Sequence, residues 1–262
     1  MYLELDPELQ TIQTKARQLA MDFAKRAVQH DQETTSPDEN YAKLKEAGFY
    51  GLVAPKQYGG SGAGVLGWVV AAEELAQGCP STAVSFNMHV ATLATYLMKA
   101  NFAENYKQRL ANDVVRQNKL LAAILSEPGT TGLLPSTFAC ATQARRVEGG
   151  WRLNGRKGFC TMAQSADIIN IFAHPEESAD PENALSFLIS PKLDGIRVEK
   201  NWNTLGMRAT RSDNLVLDNV FVPEESLYCA IPNAGAGKRS TETMPPGCCL
   251  SSSRPGGLGT PE

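Results

Sequence analysis

Apolar residues in the first third of the chain recur every three or four positions. Leu9, Ile12, Leu19 and Phe23 fall on one stripe, with Lys15, Arg17, Lys25 and Arg26 off it, and this predicts an amphipathic helix. Asp6-Pro7-Glu8 stands just ahead, supplying a capping oxygen, a proline suited to the first helical position and an acid in the first turn. Ser36-Pro37-Asp38-Glu39 repeats that start signal, and Gly48 ends a short helix carrying Tyr41, Leu44 and Ala47. Two more helical stretches, about 65–77 and 82–99, are parted by Gly78-Cys79-Pro80, and a polar helix over about 103–117 leads out. The glycine-rich run Gly59-Gly60-Ser61-Gly62-Ala63-Gly64 reads as a flexible connector, because no strand precedes it as a phosphate-binding loop requires.

Near Leu120 the period falls to two. Leu120–Leu125, Thr137–Arg146, Phe159–Thr161, Ile168–Ala173, Leu185–Ile189, Ile196–Glu199 and Leu215–Val222 read as short strands. Gly149-Gly150 offers a hairpin turn and Asn154-Gly155 a second turn signal. Helices first and strands afterwards predict an α+β fold, with an antiparallel β-barrel or sandwich as its second part. The expected organisation is a helical domain over 1–118, a β domain over 119–231 and a tail over 232–262. That tail is rich in Gly, Pro and Ser and has no aromatic residue, so it is expected to be disordered.

The chain has 262 residues, 42% of them apolar, and a net charge of −3, enough to bury a sizeable core. Charge is evenly spread, so no basic face exists to neutralise phosphates and nucleic acid is excluded as a partner. No run approaches the roughly 20 apolar residues of a membrane span. The acidic opening Met1–Asp6 lacks the order of a secretory or transit segment. Six cysteines and three histidines show no metal-binding spacing, and reduced thiols in a cytoplasmic protein are expected. The sequence holds no G-x-G-x-x-G after a strand, no H-E-x-x-H and no G-x-S-x-G.

Several segments together resemble one family. Leu125-Ser126-Glu127-Pro128-Gly129 is similar to the Thr/Ser-Glu-Pro-Gly signature of acyl-CoA dehydrogenases. Asn154-Gly155-Arg156-Lys157-Gly158-Phe159-Cys160-Thr161, followed by Ala166-Asp167, resembles a second signature of the family. Leu205-Gly206-Met207-Arg208-Ala209-Thr210 and Val220-Phe221-Val222-Pro223 resemble a third. Upstream, Val53-Ala54-Pro55-Lys56-Gln57-Tyr58-Gly59-Gly60 and Glu73-Glu74-Leu75-Ala76 are similar to its helical-domain loop and following helix. The resemblance covers about residues 5–230 and implies an FAD-dependent oxidoreductase that dehydrogenates an acyl-CoA thioester. Electrons would pass to an acceptor such as an electron-transfer flavoprotein.

The resemblance also assigns residues. Ser126 corresponds to the hydroxyl on the pyrimidine side of the flavin, with Leu125 presenting backbone beside it. Phe159 takes the aromatic position near the isoalloxazine, and Thr161 the hydroxyl expected at N5. Strand alternation would set Phe159 and Thr161 on one face with Cys160 opposite. Read without the family, Thr161 is a solvent-facing strand threonine, Phe159 core packing and Ser126 a turn hydroxyl. Glu127 is read as a structural carboxylate, Arg208 as an ion-pair partner, Met88 as core, and His89 as a surface or capping residue.

Gly132 and the run Thr131-Gly132-Leu133-Leu134 depart from the family pattern beside the site. The family continues into a helical bundle that carries the catalytic base and most of the homo-oligomer interface, whereas here the tail follows. No catalytic residue is therefore assigned, and the chain alone is expected to hold FAD weakly and turn over nothing. Two further readings stay open: a flavin-dependent monooxygenase of the same superfamily, and a non-catalytic product pairing with full-length subunits.

Overall fold

A computed structural model describes residues 4–98, 102–128, 140–179 and 184–231. The tail beyond 231 and the departure at 131–134 lie outside these residues. Helix α1 (Pro7–Glu33) is capped by Asp6, whose carboxylate accepts from Leu9 N at 2.8 Å. It is followed by α2 (Asp38–Glu46), α3 (Gly64–Gly78), α4 (Pro80–Met98) and α5 (Glu104–Ala111). Gly78 does more than end α3. A Cβ there would stand 2.0 Å from Ala20 O, so the glycine lets α3 close on α1.

The glycine-rich loop is not a free connector. Ser61 N and Ala63 N donate to Gly51 O and Leu52 O, while Gly60 N and Gly62 N donate to Pro55 O and Ala54 O. The loop is thereby folded back on the segment before it.

Among the described residues eight strands follow: β1 (Leu121–Ile124), β2 (Gln143–Val147), β3 (Gly150–Lys157), β4 (Ile168–Pro175), β5 (Ala184–Ile189), β6 (Ile196–Glu199), β7 (Asn214–Pro223) and β8 (Leu227–Ile231). The sheet order is β6-β7-β3-β2-β4-β5-β8, with β1 joining β4. Most pairings are antiparallel, but β4 takes two parallel partners along one edge: β1 beside Ile168–Ile171, then β2 beside His174 and Pro175. This one strand therefore carries the hydrogen bonding from one half of the sheet to the other.

The β2–β3 hairpin forms, but its turn is Glu148-Gly149, one residue earlier than the expected Gly149-Gly150: Gly149 takes φ +77° and Gly150 already pairs with Val147 as the first residue of β3. Asn154-Gly155 is not a turn. It lies within β3, where the register with β7 shifts between Leu153 and Gly155. Asn154 Oδ1 accepts from Asn219 N at 2.8 Å, so the bulge spends the turn-forming side chain on the neighbouring strand.

Helix α4 joins the helical half to the sheet and is buried along most of its length. Tyr96 donates to Asn170 Oδ1 at 2.9 Å, and its ring meets Tyr228 at 4.5 Å. His89 is not at the surface but fully buried, whereas Met88, expected in the core, is 39% exposed. Periodicity misleads here because α4 has protein on nearly every side. His89 Nδ1 accepts from Leu121 N at 3.0 Å, and Nε2 lies 3.0 Å from Tyr50 O. A carbonyl cannot donate, so Nε2 carries the proton and the ring is neutral.

Burial pushes the His89 imidazole down to about 4. In the unfolded chain it protonates near pH 6.5. Between these values the unfolded state binds the extra proton, so stability is lost as pH falls from about 6.5 to about 4. We expect His89→Gln, which keeps a donor and an acceptor, to flatten the stability profile in that window. The difference from the parent chain should be on the order of 1 kcal/mol per pH unit in urea unfolding. Parallel profiles would show that His89 is not the titrating group.

Candidate functional site

The segment after β1 and the segment after β3 lie side by side, because Gly158 N donates to Ser126 O at 2.9 Å. This seam brings Leu125 and Ser126 next to Phe159. Leu125 is 43% exposed and Phe159 is 70% exposed. The Ser126 hydroxyl, half-buried, has no hydrogen-bond partner among the described residues.

A buried ion pair fixes the seam. Glu127 Oε1 and Lys157 Nζ meet at 2.5 Å, with neither side chain appreciably exposed. Glu127 Oε2 accepts from Ala141 N at 2.5 Å, and Oε1 also accepts from Thr142 N at 3.1 Å. Lys157 Nζ donates in addition to Phe172 O at 2.5 Å. Burial alone would raise the Glu127 carboxyl, but the Lys157 ammonium and the backbone donors bring it below its ordinary value. Both oxygens are committed, as the reading of Glu127 as structural anticipated.

Phe159–Thr161 is not a strand. Phe159 has φ +54°, and Thr161 N donates to Phe159 O at 2.9 Å, closing a turn around Cys160. Extended alternation therefore does not orient these side chains. The turn turns Phe159 out, buries Cys160 completely and leaves Thr161 9% exposed. Burial pushes the Cys160 thiol up to about 12, which makes it unreactive as a nucleophile.

Thr161 Oγ1 lies 2.8 Å from Ser212 Oγ, facing inward and not toward solvent. Ser212 Oγ is 2.8 Å from Thr210 Oγ1, which donates to Met207 O at 2.9 Å. Met207 O also accepts from Trp202 Nε1 at 3.1 Å. The Trp202 ring stands edge-on to Phe159, centroids 5.5 Å apart. Trp202, Thr210 and Ser212 thus belong to the site's neighbourhood although sequence reasoning did not single them out. Only Thr210 lay within a recognised motif, and nothing local marked the other two.

The loop bearing Met207 is anchored to the helical half. Arg208, expected to be an ion-pair partner, meets Asp31 through Nη2–Oδ2 at 2.8 Å and donates from Nε to Asp31 O at 2.6 Å. Asp213 is also fully engaged. Its Oδ1 accepts from Trp202 N, and its Oδ2 accepts from Gln164 and is ion-paired with Arg211 Nη2 at 2.8 Å. A cavity of about 450 Å³ between Tyr58, Glu104 and Arg116 shares no residue with this site.

Replacing Lys157 by Met strands the Glu127 charge in the interior, and should cost about 3–5 kcal/mol. Adding Glu127→Gln removes that charge while keeping a carbonyl for the backbone donors. The double variant is expected to recover at least about 1 kcal/mol of the loss in urea unfolding at pH 7. A double variant no more stable than Lys157→Met would contradict the clamp.

A model of the acyl-CoA dehydrogenase N-terminal domain matches residues 6–132, and one of the middle domain matches residues 122–220. The putative acyl-CoA dehydrogenase YdbM of Bacillus subtilis is 30% identical over 227 residues, which are 87% of this chain and 58% of YdbM. Butyryl-CoA dehydrogenase from Megasphaera elsdenii superposes with a TM-score of 0.74 at 24% identity, over 87% of this chain and 60% of that one. Methanesulfinate monooxygenase MsuC from Pseudomonas fluorescens gives 0.69 at 26% identity, over 86% and 53%. The chain thus spans a little over half the length of the relatives it matches. With two successive family models matching most of its length in order, the chain belongs to the acyl-CoA dehydrogenase family.

Proposed function

We propose that this chain forms the helical and middle-sheet part of a flavin-dependent oxidoreductase that dehydrogenates an acyl-CoA thioester with FAD and passes electrons to an electron-transfer flavoprotein. The observation that carries the reading is the seam at Gly158 and Ser126. It sets an outward aromatic ring beside a hydroxyl with no hydrogen-bond partner among the described residues, and both suit one edge of a planar, hydrogen-bonding ring system. When bound, the flavin supplies the two-electron redox chemistry.

The residues of this chain bind and orient. Phe159 packs against the ring system, with Trp202 behind it fixing its position. Ser126 hydrogen-bonds the pyrimidine edge and Leu125 offers its backbone there. Thr161 is the hydroxyl partner of N5. Glu127 follows Ser126 in the chain and Asp213 meets the Phe159–Thr161 turn through its backbone carbonyl, which accepts from Cys160 N, and both carboxylates are engaged by donors. Neither is available as the base for an α-proton.

The likeness to MsuC favours a second reading, in which the same shelf holds FMN for a monooxygenase. Oxygen consumption with reduced FMN separates this from acyl-CoA-dependent reduction of an electron acceptor. The shared prediction is a saturable shift of the visible flavin spectrum when the purified chain is added to FAD or FMN. Phe159→Ala should weaken that binding roughly tenfold, the size of one aromatic contact. An unchanged spectrum, or equal affinity in the variant, would sink the shelf as a flavin site.

A further inference from the structure

Three hydroxyls form a line running into the protein: Thr161 to Ser212 at 2.8 Å, Ser212 to Thr210 at 2.8 Å, and Thr210 to the carbonyl of Met207 at 2.9 Å. Each hydroxyl has one proton to give. A carbonyl only accepts, so the Thr210 proton must lie on Met207 O. The contact between Ser212 and Thr210 must then use the Ser212 proton. By the same count, the contact between Thr161 and Ser212 must use the Thr161 proton. Every bond in the line therefore points inward, and Thr161 has only lone pairs left for a ligand.

The inner end of the line does not drift. Met207 O also accepts from Thr210 N at 3.2 Å and from Trp202 Nε1 at 3.1 Å. The neighbouring Arg208 is held by Asp31 of α1 through three hydrogen bonds. Thr210 and Ser212 are both nearly inaccessible to solvent, so water does not readily replace a lost partner.

We propose that Ser212 is a positioning residue that takes the Thr161 proton, makes Thr161 an acceptor and biases the site toward reduced flavin. The proposal rests on the reading of Thr161 as the partner of N5. Reduced flavin carries hydrogen at N5 and can donate; oxidised flavin offers a lone pair there and needs a donor. To serve the oxidised form, Thr161 must reverse, and Ser212 must then donate to Thr161 instead of Thr210. One bond of the line is lost. A hydrogen bond of this kind corresponds to roughly 3–10-fold in an equilibrium constant.

The test is anaerobic titration of the purified chain with FMN and FAD, oxidised and dithionite-reduced, followed by flavin absorbance and tryptophan fluorescence. The readout is the ratio of reduced to oxidised affinity, which a general loss of packing leaves unmoved. Ser212→Ala should lower that ratio roughly 3–10-fold relative to the parent chain, by freeing the Thr161 proton. Thr210→Val should lower it in the same direction, because Ser212 then has only Thr161 to donate to, and it serves as the second variant should Ser212→Ala fold poorly. In a Thr161→Val background neither substitution should change the ratio. Flavin binding with an unaltered ratio in both variants overturns the role of Ser212 alone. No binding of either form by the folded parent chain overturns the flavin reading and this inference with it.

Discussion

A carboxylate and an ammonium buried together must be bonded on every side or the fold does not tolerate them. Glu127 and Lys157 meet that condition by drawing four segments together, two of which supply backbone partners. The segment after β1 carries Glu127, the end of β3 carries Lys157, the approach to β2 gives two amides and β4 gives a carbonyl. The geometry of these bonds leaves little freedom in how the four segments meet. Ser126 precedes one partner of the pair, and Gly158 and Phe159 follow the other. The candidate shelf therefore inherits its shape from an ion pair that takes no part in its chemistry.

The second constraint comes from the loop between β6 and β7. Trp202 steadies Phe159 from one end of this loop, and Ser212 holds the Thr161 hydroxyl from the other. Met207 O links the two by accepting from Trp202 and Thr210. The loop is held against α1 by Arg208 on Asp31 and by Arg211 on Thr34 O. The helical half thus sets the position of side chains in the sheet half, which gives the two parts a reason to travel together.

Much of the architecture was legible beforehand. The cap of α1, the apolar stripes of the helices, the continuous apolar runs of β4 and β5 and the alternation in β7 act locally, and local signals survive folding. Where the reading failed, a distant segment had taken over. Asn154-Gly155 looked like a turn, but β7 runs alongside and turns it into a bulge. The glycine-rich loop looked free, yet carbonyls of Gly51, Leu52, Ala54 and Pro55 hold it. His89 looked superficial because nothing near it in sequence announces Tyr50 or Leu121 as partners.

By itself the sequence determined the helix-then-strand order, the family signatures and the candidate residues Leu125, Ser126, Phe159 and Thr161. Those properties depend on residue type and spacing, which are written along the chain. Only the tertiary structure decided that Phe159 sits in a turn with positive φ, that Glu127 is saturated and that the Thr161 proton points inward. Ser212 lies far along the chain from Thr161, and Lys157 from Glu127. The direction of a hydrogen bond is settled by how many protons the whole connected set must share, and that set exists only once the chain has folded.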